Sequence, residues 1–287
     1  MIMTHRPPSA FLEFVVRFAR NRGAVLGAVI IVLVIALALA APWLIDKNPL
    51  RIVSRPEVWP FTNPRFPLGT DSIGRNIFAM IAYGARTTLM IGIVAALTAT
   101  AIGVVIGAAA AWFGGWIDDV LTRITELFQT VPNILLIMTV VAILGQKIDN
   151  ITVAIGITMW PGIARLTRAE FLTLKNREFV LACRSMGMSN IRIMAGEILP
   201  NAIPPVIVLA SVIIGSSILF ESAIAFLGLG DPNVASWGAL IGDGRTLIRR
   251  SWYICAIPGL AIMLTVLAMN LIGDGLNDAL NPKLRDR

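Results

Sequence analysis

Residue types that carry metal and covalent chemistry are scarce in this chain. Its two cysteines, Cys183 and Cys255, are far apart and form no CxxC pair, and His5 is the only histidine. Zinc sites and Cys/His nucleophiles need several such residues brought together, so neither chemistry is expected here. The simplest interpretation of both cysteines is as small apolar side chains. We therefore expect no metal, no cofactor and no catalytic centre in the chain.

Nucleotide hydrolysis would require a lysine in a phosphate-binding loop. There, Gly-Lys is followed by Ser or Thr, so that backbone amides, the ammonium group and the hydroxyl converge on phosphates and magnesium. The four lysines, Lys47, Lys147, Lys175 and Lys283, are followed by Asn, Ile, Asn and Leu instead. No G-x-S-x-G or HExxH segment is present either. We expect this chain not to hydrolyse nucleotide itself and not to be an enzyme.

The composition is that of a membrane protein. Of the 287 residues, 56% are hydrophobic and only 14% are charged, and the mean hydropathy is +0.79. Soluble domains carry about 25% charged residues. The net charge of +7 is explained by basic residues at the ends of membrane helices. We expect membrane lipid as the surroundings and no nucleic-acid partner.

One long charged interval, residues 165–205, is embedded in this apolar chain. Both of its flanks are predicted membrane spans, so the interval itself should lie in water. It contains six basic and three acidic residues: Arg165, Arg168, Lys175, Arg177, Arg184, Arg192, Glu170, Glu178 and Glu197. Composition alone would make it a solvated basic loop and no more.

Apolar runs predict an all-α membrane protein with six transmembrane helices. The first span, residues 23–45, is uncharged and long enough to cross the roughly 30 Å hydrocarbon core. A signal peptide is the alternative, because residues 36–40 contain A-x-A triplets. The run exceeds the apolar region of a signal peptide, however, and more spans follow. The other five spans are predicted at residues 87–113, 127–144, 151–164, 202–227 and 254–272.

The segments between these spans divide the chain. Pro161-Gly162 interrupts the fourth span. With the N-terminus inside, fourteen of the 24 Lys and Arg residues lie on inner segments, which favours this orientation modestly. The divisions are an amphipathic cytoplasmic N-terminus at 1–22, a Pro-rich outer loop with a short amphipathic helix at 46–86, a core at 87–278, its cytoplasmic loop at 165–201, and a cytoplasmic tail at 279–287.

One carboxylate, Glu221, falls within a predicted span near its outer end. A charge there costs a few kcal/mol unless it faces protein or water. Two interpretations remain open: a structural hydrogen bond between helices, and a position on a translocation path or gate. In the outer segment that follows, Asp231, Trp237 and Arg245 are further candidates for gating or for contact with a receptor protein.

The charged interval resembles the ATPase-docking loop of six-span ABC-importer permeases. That loop follows the pattern E-A-A-x3-G-x9-I-x-L-P. Ala182 and Cys183 stand at the two alanine positions, Gly187 at the glycine, and Leu199-Pro200 at the ending. The chain departs from the pattern at two positions, with Leu181 in place of the glutamate and Glu197 in place of the isoleucine.

Other stretches resemble one branch of the same family, the second permease of dipeptide, oligopeptide and nickel importers. Together they cover most of the chain, including its extra N-terminal span. They are FPLGTDSIGRN at 66–76, YGAR at 83–86, AFLGLG at 225–230, SWG at 236–238, and PGLAIMLTVLAMNLIGDGLNDAL at 258–280.

The resemblance implies a type I ABC-importer permease in a bacterial inner membrane. Its partners would be a homologous permease, two ATP-binding subunits that use ATP and Mg, and an extracytoplasmic substrate-binding protein. A short helix at 183–193 would dock into the ATPase, with Gly187 as a flexible or close-approach position. The implied coupling residues are Ala182, Cys183, Arg184, Met186, Gly187, Met188, Asn190, Arg192, Leu199 and Pro200.

The sequence leaves alternatives for the transported cargo and for the source of energy. Peptides are the expected cargo, while a nickel chelate or another small solute is the alternative for the same machinery. A secondary transporter without an ATPase is a more distant alternative, because it would need several ionisable residues in spans or inverted repeats. A membrane enzyme would need a catalytic constellation, which the sequence lacks.

Overall fold

The structure is a computed structural model that describes residues 10–45 and 48–280, with side chains from Phe14 onward. Those residues form helices and connecting turns, with no strand beyond isolated bridges. The helices are α1 (Ala10–Arg20), α2 (Arg22–Leu44), α3 (Ile77–Phe113), α4 (Gly115–Thr130), α5 (Asn133–Leu144), α6 (Ile148–Leu174), α7 (Glu178–Ser185), α8 (Asn190–Arg192), α9 (Leu199–Ile224), α10 (Trp237–Gly244) and α11 (Tyr253–Leu280). Two π-helical turns, Ile193–Ile198 and Ala225–Leu229, extend α9 at its two ends.

The long helices are those of a membrane bundle. Among the described residues, four are long and apolar enough to cross a membrane: α2, α3, the continuous helix Asn190–Leu229, and α11. A fifth span is obtained if α4 and α5, which meet at an 88° bend, are counted as one. The remaining predicted span corresponds to α6, whose 27 residues extend about 40 Å, although it is less apolar. The all-α membrane fold predicted from the sequence is confirmed.

The helix α3 is the centre of the packing. Small residues let α6 approach its backbone closely: a Cβ on Gly103 would lie 2.8 Å from the Trp160 carbonyl oxygen, and one on Gly107 would lie 2.3 Å from that of Ala164. The GxxxG segment therefore acts as a helix-packing motif. The amphipathic segment predicted before residue 87 forms the first part of α3, which runs unbroken from Ile77 after its Asn76 cap.

The third and fourth spans differ from their predicted forms. Instead of one helix at 127–144, α4 and α5 bend sharply at Val131-Pro132, where the extended backbone of both residues ends α4. Instead of a break at Pro161, α6 continues through it to Leu174. Pro161 is buried in the packed helix, and the helices packed against α6 stabilise it despite the missing donor. The first ten residues of the predicted loop 165–201 are therefore helical.

The last two spans differ from their predicted bounds. The fifth begins at Leu199 and the sixth extends over Tyr253–Leu280, so the first residues of the predicted tail are helical. Parts of three predicted segments, residues 1–9, 46–47 and 281–287, lie outside the described residues. Two groups of contacts lie at the two termini of α3. Residues 175–201 pack near its end at Trp112 and are called the loop end below. The helix α10 and the start of α11 pack near its beginning at Ile77, and this region is called the far end.

Candidate functional site at the loop end

The loop end is built on a short helix, α7, that stops at Gly187. The Met188 N–H donates to the Cys183 carbonyl at 3.2 Å, and the Gly187 N–H donates to that of Arg184 at 2.9 Å. With Gly187 at a φ of +76°, this pair of bonds is a Schellman ending. The single short helix predicted at 183–193 is therefore wrong. Gly187 lies between two helices, in the left-handed conformation that glycine adopts most readily.

The buried face of α7 packs onto the main bundle. Val180 and Cys183 contact a cluster that includes Phe171 of α6 together with Ile193 and Ile198 of the π-helical turn. Cys183 is a buried member of this cluster, so its side chain lies beneath the exposed face of α7. This position fits the apolar interpretation of the thiol.

Trp112, at the end of α3, fastens the loop to the bundle. The Arg184 guanidinium lies 4.8 Å from the centre of its ring, within cation–π range. The Lys175 ammonium donates to the carbonyls of Ala111 at 2.9 Å and Trp112 at 2.6 Å. These are terminal carbonyls of α3, where a positive charge is favoured. Sequence analysis missed both Trp112 and Lys175 as parts of the site, because they are 63 residues apart.

The surface of the loop end is exposed and partly apolar. Met186 and Ile191, on either side of Gly187, keep 71% and 79% of their surface exposed. A Cβ on Gly187 would meet no atom of the described chain within 4 Å. Ile191 was missed in the sequence, although an isoleucine in a polar turn is a recognisable signal. The predicted contact residues Ala182, Arg184, Met186, Asn190 and Arg192 are exposed as well, whereas Met188 is half-buried.

The loop continues directly into a long helix. The π-helical turn leads to Leu199, which is half-buried against the cluster beneath α7, and to Pro200 in the first turn of α9. Pro200 has no N–H to donate to the preceding turn, and it lies where the π-helical turn changes to the α-helix. Of the two positions that depart from the family pattern, Leu181 is exposed and Glu197 is half-buried. The surface around Gly187 is thus joined to a helix that traverses the bundle.

A two-pronged ion pair joins α4 to α6 near the same end. The Arg168 guanidinium donates to both carboxylate oxygens of Asp118, at 2.6 Å each. Thr122 donates to the same carboxylate at 3.2 Å. Beside this pair, α3, α4 and α6 enclose a cavity of about 240 Å³ lined by Arg165 and Glu126 among others. The pair fixes α4 across the bundle, so it positions the bent third span.

At the far end, Glu221 is buried and hydrogen-bonded. Its carboxylate accepts from the Ser236 hydroxyl at 2.7 Å, and the same hydroxyl accepts from the Ala239 N–H at 3.0 Å. A Cβ on Gly238 would lie 2.7 Å from the carboxylate, so α10 packs directly over it. This position favours the structural interpretation of Glu221. Trp237 is also buried and donates its ring N–H to the Ile81 carbonyl at 2.9 Å, which places it away from any receptor-contact surface.

The two other far-end candidates border one cavity of about 270 Å³. Asp231 accepts from the Ile148 N–H at 2.9 Å and so caps α6, while Arg245 donates to the Phe226 carbonyl. Arg75 lies in the same wall and is paired with Asp71 and Asp243. Burial alone would lower the pKa of the Arg75 guanidinium, but the two carboxylates raise it above its usual value. The structure thus brings Asp231 and Arg245 together and separates them from Glu221.

This arrangement defines a class: an all-α membrane bundle with an exposed, partly apolar loop at one end. Residues 99–286 match the family described as binding-protein-dependent transport system inner membrane component. Residues 9–56 match the N-terminal TM domain of oligopeptide transport permease C. The chain belongs to the family of binding-protein-dependent transport system inner membrane components. The resemblance to ABC-importer permeases is therefore confirmed.

Full-length relatives support the same assignment. The chain is 37% identical to the di/tripeptide transport system permease protein DppC of Pseudomonas aeruginosa, over 97% of this chain and 94% of that protein. It is 38% identical to the dipeptide transport system permease protein DppC of Alkalihalophilus pseudofirmus, over 96% and 91%. The glutathione transport system permease protein GsiD of Pectobacterium atrosepticum is also 38% identical, over 95% and 91%.

A solved structure shares the fold. One chain of the MetNI methionine ABC transporter, in an inward-facing conformation, superposes with a TM-score of 0.57. It is 17% identical and covers 68% of this chain and 93% of its own length. At that identity the likeness concerns the fold alone, and it confirms the type I ABC-importer permease fold.

Proposed function

We propose that this chain is the membrane subunit of a bacterial ABC importer for dipeptides and oligopeptides. It pairs with a homologous permease, receives cargo from a substrate-binding protein outside, and is driven by two separate ATPase subunits that use ATP and Mg. The N-terminus and the loop end face the cytoplasm. Relatives whose names specify dipeptide or tripeptide transport, at 37–38% identity over nearly the whole chain, support the peptide cargo.

The loop end is where the ATPases act. Their closure moves the surface around Gly187, and the buried face of α7 transmits that movement to the helices beneath it. Three helices receive it: α3 through Trp112 and Lys175, α6 through Phe171, and α9 through the π-helical turn. Packed interiors transmit displacement because they are close to crystalline density. The permease pair thereby changes from inward-open to outward-open.

The observation that carries this proposal is the exposed apolar pair, Met186 and Ile191, on a base that is itself well packed. Exposed apolar side chains at a polar end of a membrane protein are typical of a protein interface. The test is the double variant Met186→Glu/Ile191→Glu. Both side chains are solvent-exposed, so folding should persist while docking of the ATPase is lost.

The assay is co-purification of the ATPases with the permease, followed by ATP-driven uptake of a labelled dipeptide into proteoliposomes. Thr173→Glu is the matched control, because Thr173 is exposed on α6 outside the apolar pair. We expect the double variant to lose both ATPase binding and uptake, and the control to keep both. Normal uptake by the double variant would contradict the proposal, and uptake with inactivated ATPases would favour a secondary transporter.

Cargo is tested separately, through the binding protein. Titration of the partner binding protein with dipeptides, longer peptides, glutathione and a nickel chelate should give the tightest binding for peptides. If the binding protein preferred the nickel chelate, the cargo of the importer would be the chelate and not a peptide. The loop-end experiment would be unaffected by that result, so the two parts of the proposal fail independently.

A further inference from the structure

A cleft at the far end opens beside the first span. It has a volume of about 390 Å³ and is enclosed by the end of α2, the loop at residues 48–67 and the start of α3. Its apolar wall includes Leu44, Ile45 and Phe78, and two arginines, Arg51 and Arg65, also line it. None of the described residues that line the cleft is acidic. The cleft therefore joins an apolar surface to a positively charged rim.

The two arginines are available for an external anion. Both side chains are exposed, and neither forms an ion pair with a described residue. Their turns are fixed by backbone hydrogen bonds, from the Arg51 N–H to the Asn48 carbonyl at 3.3 Å and from the Arg65 N–H to the Asn63 side chain at 3.0 Å. A pair of guanidinium groups on ordered turns is well suited to a phosphate group.

The cleft lies at the membrane boundary. It begins where α2 ends, after 23 residues that extend about 34 Å and so reach the surface of the hydrocarbon core. Trp43, just before the cleft, is 86% exposed, and Phe61 in the neighbouring loop is 85% exposed. Exposed aromatic side chains at this level are typical of the membrane–water interface. From Leu44 in the cleft wall, the exposed side chain of Leu39 continues the apolar surface along α2.

We propose that this cleft binds one anionic phospholipid of the leaflet at the far end. Arg51 and Arg65 bind the headgroup phosphate, and the acyl chains lie along the exposed apolar face of α2. The occupant is a lipid and not a free phosphate, because the apolar wall and the exposed helix face are continuous with the cleft. The bound lipid holds the loop at residues 48–67 against α2 and α3. This proposal needs only that the chain spans the membrane, so it stands apart from the coupling proposal.

The test measures phosphatidylglycerol bound to the purified transporter complex by native mass spectrometry. The variant Arg51→Gln/Arg65→Gln should bind it about a hundredfold more weakly, since each of the two charge-assisted hydrogen bonds contributes about an order of magnitude. The matched control is Arg55→Gln/Arg249→Gln, which removes two exposed charges from the same end but outside the cleft. Arg51→Lys/Arg65→Lys keeps the charge and should retain much of the binding. Thermal unfolding of each complex checks that every variant is folded.

Two competition arms distinguish the source of the phosphate. Millimolar inorganic phosphate should not displace phosphatidylglycerol, and phosphatidylcholine should bind more weakly because its headgroup has no net charge. Equal binding by the Gln double variant and the native complex would overturn the proposal. So would an equal loss in the control pair, which would mean a general charge effect, or displacement by inorganic phosphate, which would mean a simple anion site.

Discussion

Substitution of Gly187 separates backbone conformation from contact with a partner. In this chain the residue has a φ of +76°, and a Cβ there would meet no atom within 4 Å. Gly187→Ala therefore introduces conformational strain alone, about 1–2 kcal/mol. Asn tolerates the left-handed conformation better, so Gly187→Asn should cost less. Neither cost approaches the roughly 5–15 kcal/mol that stabilises a typical domain, so both variants should fold.

Activity should not follow this order of stability. If an ATPase surface closes over the turn at Gly187, any side chain obstructs it, and the larger Asn obstructs it more than Ala. We expect ATP-driven peptide uptake to fall at least about tenfold in both variants, which corresponds to roughly 1.4 kcal/mol of lost docking free energy. Thermal unfolding of the complex gives the stability order, and the number of ATP molecules hydrolysed per peptide imported gives the coupling.

A second glycine provides the reference. Gly228 at the far end has a φ of +88° and a ψ of 14°, and its Cβ would make an ordinary contact with Arg245 at 3.5 Å. Gly228→Ala and Gly228→Asn thus report the conformational cost without the ATPase. If Gly187→Asn transported normally while Gly187→Ala did not, the glycine would serve conformation only, and close approach by a partner would be refuted.

Substitutions at three further contacts test how the helices are held together. Lys175→Met removes two hydrogen bonds to the end of α3 and should raise ATP consumption per transported peptide while leaving ATPase binding intact. Asp118→Asn or Arg168→Gln alone should lower the free energy of unfolding by about 1–2 kcal/mol, because the remaining partner is half-buried and has lost its ion pair. A double-mutant cycle of thermal stabilities should show that the two residues are energetically coupled. Glu221→Gln keeps an acceptor for the Ser236 hydroxyl and should transport normally, whereas Glu221→Ala should reduce assembly of the transporter complex. If the Gln variant were stable but lost uptake, Glu221 would belong to the translocation path.

Local sequence signals located the loop end but not its shape. The sequence pattern at 182–200 singled out Gly187 and Leu199-Pro200. In the structure Gly187 follows the end of α7, and Leu199-Pro200 begins α9. The single helix expected at 183–193 was wrong, although Gly187 followed by Ser189-Asn190 is a helix ending followed by a helix start. Glycine commonly ends a helix, but the resemblance to the family led to the prediction of one helix across this position.

Proline shows why local rules fail in a packed bundle. Pro132 and Pro161 both lie in predicted spans, yet the chain bends at the first, whereas α6 continues through the second as one helix. The difference is tertiary, because Pro161 is buried among neighbouring helices and Pro132 is exposed. Contacts such as Lys175 with Ala111, 64 residues apart, are likewise inaccessible to a single sequence. Composition and periodicity predict which segments are helical, and packing decides where they bend.

The long helix Asn190–Leu229 connects the two ends of the bundle physically. Its α-helical part, Leu199–Ile224, extends about 39 Å. The π-helical turns at its two ends lead to the exposed surface beside Gly187 and to the cavity bordered by Asp231 and Arg245. Its α-helical middle is packed against α3, α6 and α11, whereas both of its ends are π-helical turns, which are weaker than an α-helix and recur at functional positions. A rigid middle with adaptable ends is suited to move as one body while its two ends change their contacts. We expect Glu221, buried near the far end and bonded to Ser236, to hold this helix to α10, which borders the far-end cavity. On this argument the carboxylate predicted for a translocation path would act on such a path indirectly, through α10.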